Sequence, residues 1–155
     1  MGKMETDGTI SLRKKWQTEI NELAELLNIP CAAITLLQRP KIENFIISES
    51  DENPATAGHV GRLAGSYCER VIDTQQELII PNALIDTEWD HNPDIKINLI
   101  SYFGLPLVYP DGQPFGTICV LDKKENKFSQ EIKEKLENLK ERFETDLHNF
   151  EILKN

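Results

Sequence analysis

Gly65-Ser-Tyr-Cys-Glu-Arg-Val-Ile-Asp-Thr74 opens the stretch that decides the fold. It continues through Glu77-Leu-Ile-Ile-Pro-Asn-Ala83, Asp86-Thr-Glu-Trp-Asp-His-Asn-Pro93 and Tyr102-Phe-Gly-Leu-Pro-Leu107, and closes on Gly116-Thr-Ile-Cys-Val-Leu-Asp122. Leu63, Tyr67 and Val71 stand at helical spacing, so a helix is expected within 62–74. Glu77 to Ile80 reads as a short strand ended by Pro81. Asn82 to Trp89 is irregular, after which Asn92 caps a short helix with Pro93 in its first position. Ser101–Tyr109 and Pro114–Leu121 are expected strands joined by Pro110-Asp111-Gly112, where proline presets φ and glycine accepts a positive φ.

Working outward, residues 1–9 carry no pattern and are expected to be disordered; 10–155 is expected to be a single domain. Met1 to Thr6 fits the short myristoylation pattern but reads more simply as an unstructured start. Leu12, Trp16, Ile20, Leu23 and Leu27 make one apolar stripe, predicting a helix over Ile10–Asn28 that stops before Pro30. Cys31–Leu37 suits a buried strand and Phe45–Ile47 the core of its hairpin partner. Ser48 to Gly61, with Asn53-Pro54 and two glycines, reads as a loop.

Ser129 is the expected cap of a last helix running to Asn155. Its apolar residues are Ile132, Leu136, Leu139, Phe143, Leu147, Phe150 and Leu153. Their steps of three and four resemble a coiled-coil seam, which predicts that 129–155 pairs with a second chain and continues as a linker. Covering the sheet is the plainer use of the same stripe, and spacing alone does not separate the two.

The order of elements, with the Gly65–Asp122 stretch at its centre, resembles a GAF domain, the ligand-sensing module of bacterial signalling proteins. The resemblance implies an α/β (more strictly α+β) fold: a central antiparallel sheet of five or six strands with helices on both faces, as in GAF and PAS domains. It also implies that both terminal helices lie together on one face, while the helix carrying Cys68 walls a small-molecule pocket. Histidine kinases and diguanylate cyclases commonly host such modules, in two-component and related signalling.

Composition narrows the partners. A net charge of −9 argues against nucleic acid and anionic membrane surfaces. No apolar run is long enough to span a bilayer. Cys31, Cys68 and Cys119 are an odd number of cysteines without paired spacing, which fits a reducing cytoplasm better than a disulfide framework. The length holds one domain but not a sensor plus an output enzyme.

Four chemistries bear on these residues. The GAF branch that reduces free methionine sulfoxide uses a cysteine near Cys68, but its further cysteines around the loop at Asp86–Pro93 are missing here, and Cys31 and Cys119 read as small buried hydrophobes. Asp86, Asp90, His91 and Asp94 match no metal-ligand spacing, so no metal is expected. The cysteine motif that attaches bilin in phytochrome relatives is absent. Asn126-Lys127-Phe128 matches half of the cyclic-nucleotide signature, and Ser129-Gln130 departs from it.

What remains is reversible binding of a small ligand of unspecified identity, with no catalytic residue and no named cofactor. The expected lining is Tyr67, Cys68, Asn82, Trp89, Asn92, Tyr102 and Thr117: aromatic walls with a few orienting polar groups. Core packing is the alternative use of Trp89 and Tyr102. The functional expectation is a dimeric sensory domain signalling through its last helix, against a ligand-free dimerisation spacer or a thiol-dependent sulfoxide reductase.

Overall fold

The computed structural model describes residues 7–154, and side-chain surroundings for 10–149. The elements are α1 (Asp7–Leu27), β1 (Cys31–Gln38), β2 (Lys41–Ile47), β3 (Val60–Arg62), α2 (Tyr67–Thr74), β4 (Leu78–Ile80), β5 (Ser101–Val108), β6 (Pro114–Asp122) and α3 (Gln130–Lys154). Two 3-10 turns, Ala83–Ile85 and Pro93–Ile97, lie between β4 and β5. All pairings are antiparallel, in the order β3-β2-β1-β6-β5-β4. The long strands thus lie in the middle, and both edges are three-residue strands that offer little for another chain to pair with.

Strand parity sorts the side chains into two cores. Ala32, Ile34, Phe103, Leu105, Leu107, Ile118 and Val120 face α1 and α3. Cys31, Ala33, Tyr102, Cys119 and Leu121 face α2 and the loops. Both faces are covered, which is why β5 and β6 are buried along almost their whole length.

α1 and α3 lie together on the first face. Trp16 and Phe143 meet edge to face at 5.0 Å, and the Trp16 indole donates to Asp146 at 2.8 Å. Leu136, Leu139, Phe143 and Leu147 are buried within this one chain. The described part of the stripe is therefore consumed by the chain's own sheet and α1. The side chains of Phe150 and Leu153, the end of the expected seam, lie outside the described residues.

Local signals set the boundaries. α1 opens at Asp7, inside the stretch expected to lack pattern, while residues 1–6 lie outside the described set. Its end is fixed by Asn28 in the left-handed region and by Ile29 N–H donating to Ala24 C=O. The helix expected within 62–74 is shorter, beginning at Tyr67 after the cap Ser66, whose Oγ accepts from Glu69 N–H at 3.2 Å. Val60–Arg62, expected to divide between loop and helix, is instead the edge strand β3. Its three residues are too few to show a period, and only their register against Lys41–Glu43 defines them. In the last helix Ser129 Oγ accepts from Ile132 N–H at 3.4 Å, as its position predicts.

Candidate functional site

A cavity of about 680 Å³ opens on the α2 face. Its floor is the sheet: Cys31, Ala33 and Thr35 from β1, Tyr102 from β5, and Cys119 and Leu121 from β6. α2 supplies Cys68 as a wall. Two cover segments complete it, one from the β2–β3 loop (Pro54–Thr56 and His59) and one from the second 3-10 turn (Pro93, Asp94, Lys96, Ile97). The volume lies in the range that holds small molecules, roughly 300–1,000 Å³.

A line of hydroxyls and sulfur atoms crosses the floor. Thr35 Oγ1 and Thr117 Oγ1 are 2.7 Å apart, and Thr35 Oγ1 also accepts from Thr117 N–H. Cys68 Sγ is 3.3 Å from Thr117 Oγ1 and 3.8 Å from Tyr102 Oη. Cys119 lies in the same buried cluster and lines the same cavity. The two thiols are shifted in opposite directions. Interaction with the neighbouring Cys119 thiol holds Cys68 below the ordinary thiol value despite burial, with Thr117 and Tyr102 adding to it. Interaction with Cys68, together with burial, pushes Cys119 up. Burial pushes Cys31 up to about 12.

Aromatic rings back the wall. Tyr67 stacks on Tyr102 with ring centres 4.6 Å apart and meets Trp89 at 5.4 Å. The Tyr67 hydroxyl donates to Leu99 C=O at 3.3 Å, and burial raises both phenols. Arg70, ion-paired with Glu88 at 2.7 Å, lies over the Trp89 ring. Asn92 ties the loop down: its Nδ2 donates to Trp89 C=O at 2.6 Å, and its Oδ1 accepts from Asp94 N–H at 2.9 Å.

Asp94 is the one acid on the lining among the described residues, and burial lifts it from 3.8 to about 6. Its carboxylate has no ion pair or hydrogen bond among the described residues. His59, Arg62, His91 and Lys96 also line the cavity, all of them exposed, so basic side chains surround the mouth and an acid lies deeper.

The seven residues expected at the site thus fall into three groups. Cys68 and Tyr102 front the cavity. Thr117 touches Cys68 from the floor, while Tyr67, Trp89 and Asn92 form the layer behind. Asn82 is turned elsewhere, capping the first 3-10 turn through Leu84 N–H and reaching Glu125. The half-matching cyclic-nucleotide triplet is likewise spent away from the cavity. Asn126 bonds Asp122, and Phe128 packs against Phe103 on the helix-pair face. In the acidic loop, Asp86 accepts from Glu88 N–H and Asp90 pairs with His91.

Sequence reasoning did not pick out Cys31, Cys119 or Asp94 for the site. The two cysteines are buried as expected, and both also line the cavity. Their signal was parity, since Cys31, Ala33 and Thr35 alternate toward one face opposite Thr117, Cys119 and Leu121. Nothing local marks Asp94, because its isolation depends on what surrounds it.

A six-stranded antiparallel sheet in this order, with a helix pair on one face and a loop-covered cavity on the other, is the architecture of a GAF-type α+β domain. The chain belongs to the GAF domain family, whose model matches residues 17–140. No curated protein matches it in sequence. Among solved structures, the GAF domain of Thermosynechococcus elongatus PixJ in its blue-light-absorbing form aligns at a TM-score of 0.80 and 12% identity, over 98% of this chain and 94% of that one. The type II free methionine-R-sulfoxide reductase of Thermoplasma acidophilum aligns at 0.73 and 17% identity, covering 93% and 97%. The GAF domain of an Acinetobacter phosphoenolpyruvate-protein phosphotransferase aligns at 0.70 and 17%, covering 98% and 99%. These identities speak for the fold. The fold's neighbours include a photoreceptor and an enzyme.

Proposed function

We propose that this chain is a sensory domain that binds a small molecule reversibly in the cavity over β1, β5 and β6 and passes the change along α3 to an output domain, in the cytoplasm. The observation that carries the reading is the cavity itself, with the unpartnered carboxylate of Asp94 on its wall. Asp94 is half-buried; a charge drawn out of water without a partner is costly, and such groups concentrate where a ligand completes them. A ligand with an N–H donor or cationic group toward Asp94 and an anionic or polar end toward Arg62, His59 and Lys96 fits the charges on the lining. Signalling requires that the ligand favour one of two packings of the cover segments, and that α3 differ between them.

In this reading the domain works as a homodimer through its terminal helices. Because the described stripe of α3 is buried within the chain, the contact would use the outward faces of α1 and α3. Ile10 and Leu26 are exposed there.

Mass spectrometry of the freshly purified protein, native and then denatured, tests the binding reading. The expected result is a small adduct that survives native conditions and is lost on denaturation. A bare chain whose melting temperature moves with none of a broad metabolite panel would overturn it, since a ligand at a hundred times its Kd stabilises by about 2.7 kcal/mol.

A thiol-dependent free methionine sulfoxide reductase is the second reading, favoured by Cys68 and Cys119 lining one cavity. It expects turnover of the sulfoxide with dithiothreitol that Cys68→Ser abolishes. A wild-type protein without turnover ends it.

A further inference from the structure

All three cysteines of the chain converge on one cavity, from three separate elements. Cys68 comes from α2, Cys31 from β1 and Cys119 from β6. They are not equivalent. Cys68 shares its buried cluster and the cavity lining with Cys119 and stands within 3.3–3.9 Å of the hydroxyls of Thr117, Tyr102 and Thr35. Among the described residues Cys31 has no such ring of hydroxyls, and it lies two pairs further along the ladder, opposite Leu121, whereas Ala33 is opposite Cys119. Thiolate reactivity follows from donors that stabilise the anion and from access. At Cys68 the hydroxyls supply the first, and the cavity supplies the second.

We propose that Cys68 and Cys119 form an oxidant-reactive thiol pair in which Cys68 is attacked by a small hydroperoxide entering the cavity and Cys119 resolves it to an intrachain disulfide. In the first step the Cys68 thiolate attacks one oxygen of the O–O bond. The S–O bond forms and the O–O bond breaks. The departing alkoxide or hydroxide takes the proton that Cys68 gave up, leaving a sulfenic acid. In the second step the sulfur of Cys119 displaces the sulfenic oxygen. The S–S bond forms, and that oxygen leaves as water with the Cys119 proton. Two thiols lose two electrons to the peroxide, which ends as water and an alcohol, or as two waters. The bridge ties α2 to β6 across the cavity floor. The ordinary fate of three buried strand and helix cysteines is inert packing, and it predicts none of this.

Hydrogen peroxide is the probe, applied to the reduced protein and followed by alkylation in denaturant. The expected product has lost the mass of two hydrogens, keeps one of its three thiols for alkylation, and yields a Cys68–Cys119 linked peptide. Cys31→Ser still forms the bridge. Cys119→Ala stops at one added oxygen on Cys68, which dimedone captures. The proposal is overturned if wild-type protein keeps all three thiols, if the bridge includes Cys31, or if it joins two chains. The wild-type measurement decides even where a variant does not fold. A negative result here leaves the ligand reading standing, because the native adduct is read on the reduced protein.

Discussion

Asp94 makes the cost of the cavity visible at a single residue. Its folded pKa of about 6 exceeds the ordinary 3.8, so the folded chain holds a proton that the unfolded chain releases between those values. Below about pH 4 both states are largely protonated and Asp94 costs little. As pH rises through the window the folded state is penalised, and above about pH 6 the full cost, on the order of 3 kcal/mol, is present. Asp94→Asn is therefore expected to stabilise the unliganded protein by roughly 1–3 kcal/mol at pH 7.5, and by little at pH 4. Urea titrations at the two pH values check this. An equal effect at both would mean that the carboxylate is not the source. The same change should weaken any adduct seen by native mass spectrometry. Of the site residues, those named for their ring or thiol could be proposed from sequence. Asp94 could not, because an aspartate after Asn-Pro is locally an ordinary helix-start residue.

At the scale of elements, two glycines show what the sheet allows above and below the thiols. A Cβ on Gly104 would come within 2.1 Å of the Tyr102 hydroxyl and 2.4 Å of its Cζ. The glycine thus lets the Tyr102 ring lie along β5 with its oxygen near Cys68. A Cβ on Gly116 would meet the Thr35 carbonyl oxygen at 1.9 Å, and that atom is backbone. A ring can swing aside, but a paired strand moves only by breaking its ladder. Gly104→Ala is expected to cost about 1–3 kcal/mol and Gly116→Ala more than that. Chemical denaturation of the two variants gives the comparison, and the reverse order would refute the reasoning. The long strands were legible as short apolar runs and their ends from proline and glycine. β3 was not, because three residues do not make a period and only the pairing with β2 makes them a strand.

The whole molecule decides what the stripe on α3 does. Phe143 packs on Trp16 and Phe115, inside the chain. Phe143→Ala should therefore cost about 3–5 kcal/mol even at concentrations where sedimentation shows only monomer. Leu26→Lys, on the outward face of α1, should stay within about 0.5 kcal/mol in the monomer while weakening any dimer formed there. If Phe143→Ala instead acts only where the protein associates, the seam belongs to a second chain after all. The steps of three and four along α3 fit both uses, so the sequence could name the stripe but not its partner.

The sequence by itself determined what is local. The helical spacing marked the helices, short apolar runs marked the long strands, and Pro30, Pro81, Asn92-Pro93 and Ser129 placed their ends. Together with the Gly65–Asp122 stretch, those elements were enough to recognise the antiparallel α+β class. Only the tertiary structure decided which faces meet. It buried the described α3 stripe inside the chain, turned Asn82 away from the cavity, and brought Cys31, Cys68, Asp94 and Cys119 around one space from four separate segments. The physical reason is range. Periodicity and capping act over a turn or two of chain, while burial, hydrogen-bond partners and the energy of an isolated charge depend on residues far apart in sequence.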